Sequence, residues 1–213
     1  MNSSGANQPS AQELRRRIRQ HYTGLLLPDR HPASGHRSAW SAAFIVCGQT
    51  GCFIFPLPAE LVDARHGVLC IPDEATSAVI VTLEWRAEPE ESLGALADRW
   101  AAYHGKPSRT TWVRATVESA KLESVVVGSE ELGLISALGP GGIALRRSLN
   151  ADRTALAALL KARLGLEADA PVVVGVDEWG IDVRTGFGVV RLAFDQPMDD
   201  DDAEERLRAL LDA

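Results

Sequence analysis

Residues 172–197 read VVVGVDEWGIDVRTGFGVVRLAFDQP, and this stretch decides the fold of the last third of the chain. Val172–Asp177 and Gly180–Thr185 are apolar, β-branched runs separated only by Glu178-Trp179, which predicts two strands around a tight corner. Ile181 and Val183 alternate with Asp182 and Arg184. Val190, Leu192 and Phe194 then alternate with Val189, Arg191 and Ala193, the period-2 pattern of half-buried strands. Upstream, Leu149, Leu156, Leu159, Leu160 and Leu164 form a helical stripe that stops at Gly165. Downstream, Ala203, Leu207, Leu210 and Leu211 share a helix face, with Asp199 or Asp200 as its N-cap. The expected order over 148–213 is helix, strand, strand, strand, helix.

Working outward, Gly139-Pro140-Gly141-Gly142 reads as a linker, placed at 139–147. Before it, 42–47, 52–56, 67–71 and 78–85 are short Val-, Ile- and Phe-rich runs between turn residues. Leu93, Leu96, Ala97, Trp100 and Ala101 then give an amphipathic helix over 90–103, stopped by His104-Gly105-Lys106-Pro107. Strand character returns over 110–119, with Trp112 and Arg114 on one face and Val113 and Ala115 on the other; 122–127 and 132–137 read as two further strands. The fold class is therefore α+β. A mainly antiparallel barrel-like domain covers 11–138 and carries a basic helix over 11–22; the smaller α-β-β-β-α domain covers 148–213. Residues 1–10, rich in Asn, Ser and Gly, read as disordered.

The chain has 213 residues, is 46% hydrophobic and 24% charged, and carries a net charge of −7. That charge argues against a chain that coats nucleic acid. No apolar run reaches the roughly 18 residues of a membrane span, and the N-terminus lacks a secretory core, so a cytoplasmic protein is expected. Arginines 15, 16, 17 and 19 make the head basic, whereas residues 199–205 are strongly acidic. Head and tail either attract each other or a partner protein, or are two solvated faces. Three cysteines are too few for a disulfide framework. Cys47 and Cys52 bracket Gly48-Gln49-Thr50-Gly51, so in a hairpin their sulfurs face each other across its mouth. They are either small buried strand residues or a redox-sensitive or half-metal pair. His31 and His36 lie nearby in a Pro/Gly/Ser loop, and nothing completes a metal set.

Three short marks carry a resemblance. Ser148-Leu149-Asn150-Ala151-Asp152-Arg153, Val176-Asp177-Glu178-Trp179-Gly180 and Arg191-Leu192-Ala193-Phe194-Asp195-Gln196-Pro197 occur in this order over about 65 residues. The set resembles the C-terminal α-β-β-β-α domain that follows a pyridoxamine-phosphate-oxidase-like, FMN-binding split barrel in haem-utilisation (HugZ-type) proteins. The family forms of these marks are His-Met-Asn-Ala-Asp-His, Val-Asp-x-x-Gly and Arg-x-x-Phe-x-x-Pro. The resemblance implies a split β-barrel for the first domain, haem or FMN as the cofactor class, and a homodimer. Both motif histidines are replaced here, by Ser148 and Arg153. The stretch Pro72-Asp73-Glu74-Ala75-Thr76-Ser77, where such barrels hold the FMN phosphate, carries two carboxylates and no cation.

Against this background His104 is the candidate haem ligand, because Trp100 and Tyr103 flank it; His66 is a weaker one. Arg109, Trp112 and Arg114 form a candidate patch for a phosphate or propionate, with a ring for stacking. Phosphate loops, nucleophile elbows and helical His pairs are missing from the sequence. The expected function is a non-catalytic or degenerate ligand-binding member of the haem/flavin class. Its rivals are an FMN-dependent oxidoreductase or haem-degrading enzyme, and a module that docks on a partner enzyme through residues 11–22 or the acidic tail.

Overall fold

Strand alternation builds the first sheet, and the order of its strands makes it a barrel-like layer. The structure, a computed structural model, describes residues 10–29, 39–72, 77–107, 110–139, 141–200, 203 and 205. In chain order the elements are α1 (Ala11–Arg19), β1 (Thr23–Pro28), β2 (Trp40–Ala43), β3 (Ile45–Val46), β4 (Phe53–Leu57), α2 (Ala59–Val62), β5 (His66–Ile71), β6 (Val79–Ala87), α3 (Glu90–Leu93), α4 (Ala95–His104), β7 (Thr111–Leu122), β8 (Val125–Gly128) and α5 (Ser129–Leu132). They are followed by α6 (Gly141–Ala151), α7 (Arg153–Leu164), β9 (Val172–Asp177), β10 (Gly180–Thr185) and β11 (Gly188–Ala193). The chain divides into two compact units, one of residues 1–96 and 107–134, the other of 97–106 and 135–213.

In the first unit the strands run β2-β1-β5-β6-β7-β4-β3, all neighbours antiparallel, with β8 also paired to β7. The long β7 serves β6, β4 and β8, so the sheet curls into a nearly closed barrel. Phe44, Phe53, Phe55, Leu69, Leu83, Val113 and Ala115 fill its interior. Close backbone approach explains Gly67, where a Cβ would stand 2.7 Å from the Leu27 carbonyl oxygen. Helix α1 starts on Ser10, whose hydroxyl accepts from the Glu13 amide, and buries Leu14 and Ile18.

The arginines of α1 are largely engaged at home. Arg15 Nε donates to the Leu132 carbonyl at 2.9 Å, the buried Arg19 donates to the Leu134 carbonyl, and Arg17 donates to the Ser77 carbonyl at 3.2 Å. The Arg15 and Arg19 bonds satisfy carbonyls where α5 ends, at a Gly133 with φ of +53°. Residues 132–137, expected as a strand, are therefore the end of α5 and the loop after it.

The second unit packs β11-β10-β9 with α6 and α7. Its core joins Leu145, Leu149, Leu156 and Leu160 to Val173, Ile181, Val183 and Leu192. The three strands and their Glu178-Trp179 corner match the sequence reading. Two boundaries differ. The stretch expected as a linker at 139–147 is helical from Gly141, where Leu145 and Leu149 of α6 are buried; a Cβ at Gly141 would overlap the Asp200 carboxylate. The single helix expected over 90–103 breaks at Gly94 (φ +51°), and its latter part, from Ala97, belongs to the second unit. The expectations for residues 1–9, for His31 and His36, and for most of the terminal helix lie outside the described residues. Among the described residues no helix is long and apolar enough to cross a membrane.

Candidate functional site

Each of the three family marks holds the second unit together. Asn150, at the end of α6, clamps β9: its amide donates to the Val173 carbonyl at 3.0 Å and its carbonyl accepts from the Val173 amide at 2.8 Å. Asp152 caps α7, accepting from the Ala155 amide at 2.9 Å. Asp177 accepts from the Trp179 amide at 2.8 Å, which shapes the corner, and also pairs with Arg191 at 2.5 Å. Gly180 lets β10 approach the Leu192 carbonyl, where a Cβ would lie 2.5 Å from the oxygen. The segment after β11 stays pinned to the same corner, since Phe194 and Met198 donate their amides to the carbonyls of Trp179 and Glu178.

Register places these charges in one row. Gly175 on β9 pairs with Asp182 on β10, which pairs with Arg191 on β11. Arg191 reaches Asp182 at 2.7 Å as well as Asp177, and all three side chains are under a tenth exposed. Tyr103, on α4, donates its hydroxyl to the other Asp182 oxygen at 2.7 Å. A Cβ on Gly175 would overlap that hydroxyl, so the missing side chain is what admits the tyrosine. Burial, then the Asp182 charge, pushes the Tyr103 phenol far above its usual range despite the opposing field of Arg99. Arg99 stays charged: burial opposes its charge, but Tyr103 and the two aspartates raise its pKa. Two cations and two carboxylates thus neutralise each other, and the phenol remains a donor. Such a network fixes geometry.

The residues expected at a site sit as follows. His104 ends α4, its ring centroid 4.7 Å from Trp100 and 6.1 Å from Tyr103. Trp112 and Arg114 do share a face of β7, opposite the core residues Val113 and Ala115. Trp112 is only 5% exposed, so it offers no open ring for stacking. Arg114 lies 3.5 Å from the Glu88 carboxylate. Burial works against the Glu88 charge, but the Ser92 hydroxyl and the Arg114 guanidinium still hold it below the usual carboxylate range. Arg109 and most of the 72–77 stretch lie outside the described residues. His66 is half exposed and 3.7 Å from Glu118. Ser148 and Arg153, at the positions of the family histidines, are exposed. Among the described residues no cluster of His, Cys, Asp and Glu could hold a metal ion.

What the sequence did not reveal is a cavity of about 720 Å³ within the second unit. Its walls include Leu159, Leu164, Ile181, Phe194 and Met198, with Arg163 as an exposed cation. The volume and the apolar lining suit a small-molecule site. The strand and helix stripes supply these residues, but only their packing together shows the space.

No protein-family profile matches the chain, and no curated protein does. Among solved structures, a protein of unknown function from Agrobacterium tumefaciens is similar along the full length: 17% identity, TM-score 0.67, covering 99% of this chain and all of that one. A haem-binding protein from Mycobacterium smegmatis is 18% identical with a TM-score of 0.46, covering 97% of this chain and 98% of that one. ChuZ from Campylobacter jejuni is 9% identical with a TM-score of 0.44, covering 62% of each chain. The first of these likenesses supports the architecture and says nothing of chemistry. The chain has the fold of a split barrel followed by a smaller unit of helices and a three-stranded antiparallel sheet.

Proposed function

We propose that this chain is a ligand-binding split-barrel protein without catalytic chemistry, and that its ligand is a haem-like planar anion held in the cavity of the second unit. The cavity is the observation that carries this reading. Leu159, Leu164, Ile181 and Phe194 match the apolar face of a macrocycle, and Arg163 matches a propionate. Met198, buried in the wall, supplies a thioether of the type that haem iron accepts; His104 is not among the lining residues. When bound, haem would supply redox and oxygen chemistry, whereas the chain's own residues bind and shield it.

Flavin mononucleotide fits less well. Its dianionic phosphate would enter a cavity whose lining carries Asp195 as well as Arg163, and Arg114 is already engaged by Glu88. The non-catalytic half of the reading draws support from the neutralised Arg99, Arg191, Asp177 and Asp182 network and from the exposed Ser148 and Arg153.

The test is a titration of the purified protein with haemin and, separately, with FMN, followed by absorption. Haemin is expected to give a saturable Soret change that Leu159→Trp abolishes and Met198→Leu shifts. A colourless protein whose titration shows no saturable change with haemin would overturn the proposal. Saturation by FMN alone would replace haem with flavin as the ligand.

A further inference from the structure

The hairpin between β3 and β4 brings two thiols to one point. Register pairs Ile45 with Ile54 and Val46 with Phe53, so Cys47 and Cys52 are the next opposed pair, and both side chains point away from the barrel core. The Cys47 amide donates to the Cys52 carbonyl at 2.8 Å, and the Gly51 amide donates to the Cys47 carbonyl at 2.8 Å. The Cys52 amide turns to the Thr50 hydroxyl at 3.5 Å, so the pair shares one backbone bond; opposed antiparallel residues hold their Cα atoms about 4.5–5.5 Å apart, inside the range that a disulfide spans. All three cysteines are free.

The two thiols are not equivalent to the third. Burial opposes ionisation of Cys47, but the Thr50 hydroxyl, the Gln49 and Thr50 amides and the Arg114 charge outweigh it and lower its pKa. The amides of successive loop residues form an anion-favouring nest around the sulfur. Burial alone acts on Cys70, and its pKa is raised. Cys47 is 3% exposed beneath a loop whose Gln49 and Thr50 are exposed, which favours a small oxidant over a bulky one.

From this geometry we infer that Cys47 and Cys52 are a peroxide-oxidisable pair that closes into a disulfide across the hairpin. The Cys47 thiolate attacks one peroxide oxygen. The O–O bond breaks, sulfur is oxidised to the sulfenic acid, and the departing hydroxide takes up the thiol proton as water. The Cys52 sulfur then attacks the Cys47 sulfur. The S–O bond breaks, the S–S bond forms, and a second water leaves with the Cys52 proton. Two electrons pass from the sulfurs to hydrogen peroxide.

The experiment treats the full chain with hydrogen peroxide, blocks free thiols under denaturing conditions and maps the peptides by mass. The expected product is a Cys47–Cys52 cross-linked peptide lacking two hydrogens, formed at least about tenfold faster than any oxidation of Cys70. In Cys52→Ser, dimedone is expected to label Cys47; in Cys47→Ser, Cys52 is expected to stay unlabelled. Equal blocking of all three thiols after peroxide, or oxidation of Cys70 first, would overturn the inference. So would dimedone labelling of Cys52 in Cys47→Ser at the rate seen for Cys47. None of these readouts depends on haem or FMN.

Discussion

Replacing Arg191 with Met tests the claim that the second unit is held by its ion network. Arg191 reaches both Asp177, at 2.5 Å, and Asp182, at 2.7 Å. Methionine keeps much of the side-chain length and removes the charge. Deleting one partner of a buried ion pair costs about 3–5 kcal/mol, because the other charge stays buried without compensation. Here two carboxylates lose a partner at once, which pushes toward the top of that range. Arg99 stays charged near both, and the Trp179 amide still serves Asp177 as the Tyr103 hydroxyl serves Asp182, which pulls it back. A loss of about 3–5 kcal/mol for the whole network is therefore expected. Amide hydrogen exchange reads it: protection over β9–β11 falls roughly 10²- to 10⁴-fold, while β5–β7 of the first unit serve as the internal reference. Adding Asp177→Asn and Asp182→Asn to Arg191→Met is expected to restore most of the protection, since neutral amides tolerate burial better than stranded charges. A change below about 1 kcal/mol in the single variant, within the range of a surface pair, would refute the reasoning. Loss without rescue in the triple variant would assign the effect to packing instead.

Two further outcomes follow from the same geometry. Gly175→Ala puts a methyl group on the Tyr103 hydroxyl and is expected to cost about 1–3 kcal/mol of stability by overpacking. In a Tyr103→Phe background, which lacks the hydroxyl, the added methyl should cost less, so an equal cost of Gly175→Ala in denaturant in both backgrounds would contradict the packing account. Glu13 is held below its ordinary value of 4.5 by the Arg16 hydrogen bond, against burial and with help from Arg17. A depressed carboxylate stabilises the fold above its unfolded value and loses that contribution as pH falls through the native value. The stability gap between wild type and Glu13→Gln should therefore shrink as pH drops from about 6 to about 3 in denaturant titrations. A constant gap would remove the ionic role.

The second unit was largely legible because its strands alternate cleanly and its corner has no room for a loop. Period 2 over 181–185 and 189–193 assigns faces correctly even though Asp182 and Arg191 end up buried on the polar side. Other elements were hidden by non-local physics. β1 was missed because Gly24-Leu25-Leu26-Leu27 is a short apolar run with no alternation, and only pairing with β2 and β5 makes it a strand. Residues 132–137 carry strand-like Leu and Ile, yet Gly133 turns the chain and Arg15 and Arg19 hold its carbonyls from 115 or more residues away. At the candidate site, spacing put Trp112 and Arg114 on one face. It could not reveal that one is buried and the other faces Glu88, which is 26 residues upstream.

The same contrast explains why a signature can identify an architecture and still be silent on chemistry. Asn150, Asp177, Gly180 and Arg191 each form a bond or a close approach between elements of the second unit, and Asp152 caps α7, so losing any one removes a bond or creates a clash. In this chain these residues hold the second unit, whatever it binds. The two motif positions that depart from the family pattern, Ser148 and Arg153, are exposed, and no inter-element bond among those described here runs through their side chains. Positions free of structural work are the ones that can change when a ligand changes. If the cavity of the second unit is the binding site, as proposed, ligand choice rests on its lining, where Arg163 and Met198 join Phe194 and Asp195 of the third mark.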